Sequence, residues 1–259
     1  MNIIKYKNKL LFTLTILFTL LFNLNKSYAV NVTPTSYINK IYSVMLCGPG
    51  SSLTSCVSPV ILGSVTDGKS FDLSSVAAGA SAGGMGSLAT VPYGTTFSFF
   101  QVILDRNFTV VAEGSDGTRN CVTAPASGDG TASNNTTPAL GTPKTSDSTA
   151  SDNALAQVIK IPNGVTLDTN MNGTDVIDGS VSANEEPPGD AIDADTTFIK
   201  FRVALATPFT LKPGKMPNIE VAFSLANAVT FTDTNGSTSG QTCGIFPNSP
   251  AVTIKFVGQ

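Results

Sequence analysis

The stretch from Val91 to Val111, VPYGTTFSFFQVILDRNFTVV, constrains this chain more than any other. It opens on a turn signal, Pro92-Tyr93-Gly94, and then runs to Val111 without Pro or Gly. A segment so rich in aromatic and branched residues reads as one long β-strand. Successive side chains alternate between faces. Phe97, Phe99, Gln101 and Ile103 therefore point one way, and Ser98, Phe100, Val102 and Leu104 the other. Apolar residues on both faces predict a strand in the middle of a packed sheet, with the others arranged around it.

Other segments supply those neighbours. Ser36 to Cys47 reads as a first strand, and Val60 to Leu62 as a short return strand. Asp67-Gly68 signals a turn before a further short strand, Ser70 to Leu73. Ala154 to Pro162 and Thr196 to Leu205 alternate in the same manner. In the latter, Ile199, Phe201, Val203 and Leu205 are expected to face the core, and Lys200 and Arg202 to face water. Asn218 to Leu225 repeats the pattern, with Ile219, Val221, Phe223 and Leu225 inward. Ala228 to Thr232 and Ala251 to Val257 follow, the last with Val252, Ile254 and Phe256 on one face. No helix of useful length is predicted after the N-terminal segment. The expected class is all-β, an antiparallel β-sandwich.

Three stretches break the strand pattern. Ala77 to Leu88 (AAGASAGGMGSL) is small and Gly-rich, and reads as a flexible loop or as backbone pressed against a neighbour. No GK[ST] follows it, so it does not match a phosphate loop. The other two are polar insertions at about 113–153 and 163–195. Excursions of such length are either functional or disordered. The first reads as an insertion on a sandwich edge, or alternatively as a linker between two domains. The second is acidic and is expected to be solvated.

The N-terminal segment reads as a secretory signal peptide, residues 1–29. Lys5, Lys7 and Lys9 precede an apolar core from Leu10 to Leu24, and Ser27-Tyr28-Ala29 places small residues where a signal peptidase needs them. That core spans 15 residues, short of the roughly 20 of a membrane helix. The expected mature chain, 30–259, is one β-sandwich domain with no membrane span. It is secreted, periplasmic or held at the cell surface. Lys5, Lys7, Lys9 and Lys26 leave with the signal, so 11 basic residues face 18 acidic ones, a net charge of −7. With no Lys or Arg run, binding to a phosphate backbone is not expected.

Four cysteines remain, Cys47, Cys56, Cys121 and Cys243. An even count behind a signal peptide reads as two disulfides. Of three possible pairings, Cys47–Cys56 and Cys121–Cys243 are favoured: one closes the short loop GPGSSLTS, and the other ties mid-chain to the end. No C-x-x-C is present, and no His. A zinc site that uses His is excluded, as are Ser-His-Asp and Cys-His catalysis. Glu185 and Glu186, or Asp190, Asp193 and Asp195, are the candidate acid–base carboxylates, but their polar setting offers nothing to separate their pKa values. No enzyme activity and no obligate cofactor are expected.

One motif carries a mechanism. Asp168-Thr169-Asn170-Met171-Asn172-Gly173-Thr174-Asp175 matches the start of a calcium loop, D-x-[DN]-x-[DN]-G. Oxygen ligands at alternate positions and a Gly at the sharp turn suit a hard cation. Asp168, Asn170, Asn172 and Asp175 are the candidate calcium ligands. The twelfth position, usually a bidentate Glu, is Gly179. The alternative reading is an Asx-rich turn.

Phe71-Asp72-Leu73, then Leu88, then Pro92-Tyr93-Gly94-Thr95-Thr96-Phe97 resembles the pattern of secreted bacterial prealbumin-like sandwiches. That group includes fimbrial subunits and surface domains of unknown function. The resemblance covers residues 36–111. It implies an immunoglobulin- or prealbumin-like sandwich of seven or more strands, used for surface assembly or attachment without catalysis. The leading expectation is thus a structural or adhesive surface protein, a filament or surface-layer subunit, that associates with itself or with a surface partner. The alternative is a secreted module that binds a glycan or another ligand. Val30 to Thr35, next to the cleavage site, is β-prone and reads either as an arm that adds to a neighbour's sheet edge or as a frayed terminus.

Overall fold

The computed structural model describes residues 29–75, 91–115, 120–123, 154–161, 163–214, 218–233 and 243–257. The predicted signal segment up to residue 28, the Gly-rich stretch and most of the first polar insertion lie outside the described residues. Among those described there are thirteen strands and no helix, hence none long and apolar enough to cross a membrane.

Six strands form the main sheet. They are β2 (Ser36–Cys47), β3 (Val60–Asp72), β4 (Thr96–Val111), β7 (Gln157–Lys160), β8 (Met171–Thr174) and β9 (Phe198–Thr210). Their order is β3-β2-β4-β9-β8, with β7 paired to the far end of β4. All pairings are antiparallel. The long aromatic strand β4 is central, as its two apolar faces require. Three smaller groupings complete the described fold. β1 (Ala29–Val32) pairs with β11 (Val229–Asp233), which pairs with β12 (Cys243–Pro247). β10 (Asn218–Ser224) pairs with β13 (Ala251–Val257). β5 (Glu113–Ser115) and β6 (Asn120–Val122) form a short ribbon at the start of the first polar insertion.

The small sheets lie on the main one and bury its apolar side. Ile254 packs with Leu46, Phe100, Val102 and Phe201, and the partly buried Ile219, Val221 and Phe256 join them. Phe209 and Phe256 stack with centroids 3.8 Å apart. A second apolar cluster joins Phe231 and Ile245 to Tyr37, Phe108 and Ile159. The antiparallel sheets and the core between them agree with the expected sandwich.

Two local expectations change. The predicted turn at Asp67-Gly68 does not end a strand. β3 continues through it, and its pairing with β2 skips from Lys69↔Ile41 to Ser64↔Ser43. The turn residues are absorbed as a bulge because β2 supplies partners on both sides. The expected N-terminal arm is also neither loose nor offered to a neighbour here. Ala29–Val32 lies in register with Thr232 to Val229 of its own chain, and the Asn31 carboxamide oxygen accepts a hydrogen bond from Thr230 Oγ1 at 2.6 Å.

Candidate functional site

The second face of the main sheet is lined by two rows of side chains. Paired positions of an antiparallel ladder share a face. Ser43, Ile103, Lys200 and Asn172 therefore form one row, and Met45, Gln101 and Arg202 the next. All seven are buried. This overturns the expectation that Lys200 and Arg202 face water: they are 1% and 4% exposed. Alternation correctly put them opposite Phe201. What it could not show is that this face is covered too.

The cover is the acidic segment 163–195, and the expectation that it is a solvated excursion is corrected. Leu167 and Ile192 from its two ends are buried in the core. Backbone bonds zip those ends together, with Gly164 N–H on Ile192 O at 2.8 Å and Ile192 N–H on Val165 O at 3.1 Å. Between them the chain folds over the sheet. Gly179 has φ +81 and lies against Met45 Sδ, where any side chain would collide. Gly173, on β8, pairs with Ile199 and so faces the other side of the sheet, where a Cβ would run into the Glu186 carboxylate.

Charge matches across this interface. Lys200 Nζ makes an ion pair with Glu185 Oε2 and donates to Ser180 O at 2.6 Å. Asn172 Nδ2 donates to Glu185 Oε1 at 2.7 Å, and Asn172 Oδ1 accepts from Arg202 Nη1 at 2.7 Å. On the opposite face of β4, Arg106, 1% exposed, donates to the Ile161, Asp193 and Thr196 carbonyls and to Asn163 Oδ1. Glu186 accepts from the Thr196 hydroxyl. Burial lowers the pKa of Lys200, and the nearby charge of Arg202 pushes the same way, while Glu185 opposes both. Burial lowers the pKa of Arg106, against the carboxylates of Glu186 and Asp193.

The candidate calcium residues are strung along this structure. Asp168 is exposed in a turn, its carbonyl accepting from Met171 N–H. Asn170 Nδ2 reaches Arg202 O at 3.4 Å. Asn172 is buried and bonded as described, and Asp175 accepts from Asn184 Nδ2 at 3.1 Å. Met171–Thr174 is extended strand, and among the described residues no group of three or more His, Cys, Asp and Glu could hold a metal. The cations next to Asn172 are those of Arg202 and Lys200. Of the candidate carboxylates, Glu186 is buried and Glu185 nearly so, whereas Asp190, Asp193 and Asp195 are exposed.

The Cys47–Cys56 disulfide is present, with its Cα atoms 5.1 Å apart. Cys121 is disulfide-bonded as well. The side chain of Cys243, its expected partner, lies outside the described residues.

Sequence reasoning missed Arg106, Lys200, Arg202 and the pairing role of Glu185. One signal was available. Three of the few basic residues beyond the predicted signal segment fall inside the long aromatic strands β4 and β9, while acidic ones crowd the segment just before Thr196. No protein-family model, curated protein or solved structure matches the chain.

Proposed function

We propose that this chain is a secreted or cell-surface structural or adhesive protein, an immunoglobulin- or prealbumin-like sandwich with polar insertions, that associates through the β3 end of its main sheet. The observation that carries this reading is β3. It is 13 residues long and ends the main sheet among the described residues. Ile61 and Val65 on it are exposed, as are Leu53 and Val57 of the adjoining disulfide-closed loop and its exit. Long edge strands with exposed apolar side chains are sites of strand addition unless they are blunted. Self-association or docking of a surface partner is the use that fits. The reading is non-enzymatic. The chain has no His, and its buried cations are held by Glu185, by Asn163 and Asn172 and by backbone carbonyls.

Negative-stain microscopy and sedimentation of the mature protein test this. Ordered polymers that are lost in an Ile61→Lys, Val65→Lys variant support assembly through β3. A monodisperse monomer with a specific glycan-array hit moves the assignment to a ligand-binding module.

A further inference from the structure

We propose that Lys200 and Asn172 become joined by an intramolecular isopeptide bond, with Glu185 as the catalytic residue and ammonia as the product released. The arrangement rests on three observations. First, Lys200 on β9 and Asn172 on β8 stand directly opposite each other in register, so their Cβ atoms are about 4.5–5.5 Å apart on one face. Second, one carboxylate touches both reacting nitrogens: Glu185 Oε2 holds Lys200 Nζ, and Oε1 accepts from Asn172 Nδ2 at 2.7 Å. Third, the amide oxygen already has a cationic donor, Arg202 Nη1, at 2.7 Å.

Each part meets a need of transamidation. The amine must be neutral to attack. Burial and the Arg202 charge favour the neutral form of Lys200, and Glu185 is in contact to take its proton. Attack needs Nζ about 3–3.5 Å from the amide carbon. Two side chains held on one carboxylate from opposed positions are within a rotation of that geometry. Negative charge then develops on Oδ1, where the Arg202 guanidinium stabilises it. Glu185 returns a proton to Nδ2, which makes it a leaving group.

The step balances without an outside reagent. The bond from Cγ to Nδ2 breaks, and a bond from Cγ to Nζ forms. The lysine nitrogen loses two protons. One leaves with the departing nitrogen as ammonia, and one remains on the Glu185 carboxyl. Nothing is oxidised or reduced. Both reacting residues are 1% exposed, so water is kept from the competing hydrolysis. The reaction occurs once per chain and locks segment 163–195 to the sheet. It is independent of how copies assemble.

Intact-mass spectrometry of the full mature chain, produced with its signal segment and disulfides, decides the matter. The expected mass falls short of the sequence value by one ammonia, beyond the hydrogens lost at disulfides. Trypsin fails to cut after Lys200, and cleavage at the aspartates between Asp175 and Asp195 leaves the Asn172 and Lys200 fragments joined. Glu185→Gln restores the full mass and tryptic cleavage at Lys200. A wild-type chain of full mass that is cut at Lys200 overturns the proposal, whatever the folding of the variant. A Glu185→Gln chain that still loses ammonia at these two residues removes Glu185 from the reaction.

Discussion

Lys200 and Asn172 face each other across two antiparallel strands and are held by the two oxygens of a single carboxylate, that of Glu185. Glu185 comes from the acidic segment, so this contact is where the loop is fastened to the sheet. The energetic logic is that of a buried charge: it is costly unless it is paired and hydrogen-bonded. Once the sheet carries Lys200 and Arg202 on its second face, only a cover that brings carboxylates and carbonyl oxygens makes that face stable.

The first prediction concerns the two neighbours on β9. Phe201 fills the apolar cluster between the sheets, and Phe201→Ala is expected to cost about 3–5 kcal/mol, the usual loss for an emptied aromatic site. Arg202→Ala strips Asn172 Oδ1 of its donor and is expected to cost about 1–3 kcal/mol, where a water-facing residue would cost almost nothing. Urea unfolding of both variants measures this. An Arg202 variant as stable as wild type would place its side chain in solvent.

Arg106 provides a second test. It ties β4 to both ends of the acidic segment through Ile161, Asn163, Asp193 and Thr196. Arg106→Ala is expected to destabilise by about 3–5 kcal/mol, as when one partner is removed from a buried charged network. Arg106→Lys is expected to recover only part, because an ammonium has three donors and no planar fork. In native-state hydrogen exchange, protection should fall first at Gly164 and Ile192, whose amides close the segment. Uniform loss across β2 and β4 instead would show that the segment is not a separate unit.

A third prediction is a pH dependence. Partial burial disfavours the charge of Asp72, but the Ser74 hydroxyl, the Tyr37 and Ser74 amides and the Ser36 hydroxyl outweigh it and hold its pKa below the ordinary value. A carboxyl whose folded pKa is depressed stabilises the fold above its unfolded pKa and loses that contribution as pH falls through the folded value. The stability gap between wild type and Asp72→Asn should therefore be widest near neutral pH and close below the ordinary carboxylate pKa of 3.8. Thermal melts from pH 7 down to pH 2 read it. A gap that widens on acidification would mean that the sign is wrong.

Much of the strand plan was legible in the residues themselves. The aromatic and branched run of β4 placed it at the centre, and the predicted Ser36 to Cys47 and Ala251 to Val257 are the observed β2 and β13. The short loop closed by Cys47 and Cys56 was equally local. These are properties of period-two patterning and of small loops, which depend on residues close in sequence. β5, β6, β8 and β12 are not singled out by the sequence. Each is five residues or fewer, too short for alternation to stand out. β1 is extended because Val229 to Thr232, some 200 positions away, pairs with it.

What only the tertiary structure decided is the fate of charge. Alternation assigns Lys200 and Arg202 to the face opposite Phe201, and that assignment is correct. Whether the face meets water or protein depends on where the acidic segment lies, and no local pattern records that. The fold lays Glu185 over Lys200 and Asn172, and a stretch that reads as solvated acid becomes the partner of three buried cations. The candidate calcium residues changed meaning for the same reason: a D-x-N-x-N spacing specifies ligand types, but the strand pairing of Met171–Thr174 turns Asn172 toward a guanidinium. Long-range pairing set each of these outcomes, because the electrostatic cost of burial is settled only by the groups that arrive from elsewhere in the chain.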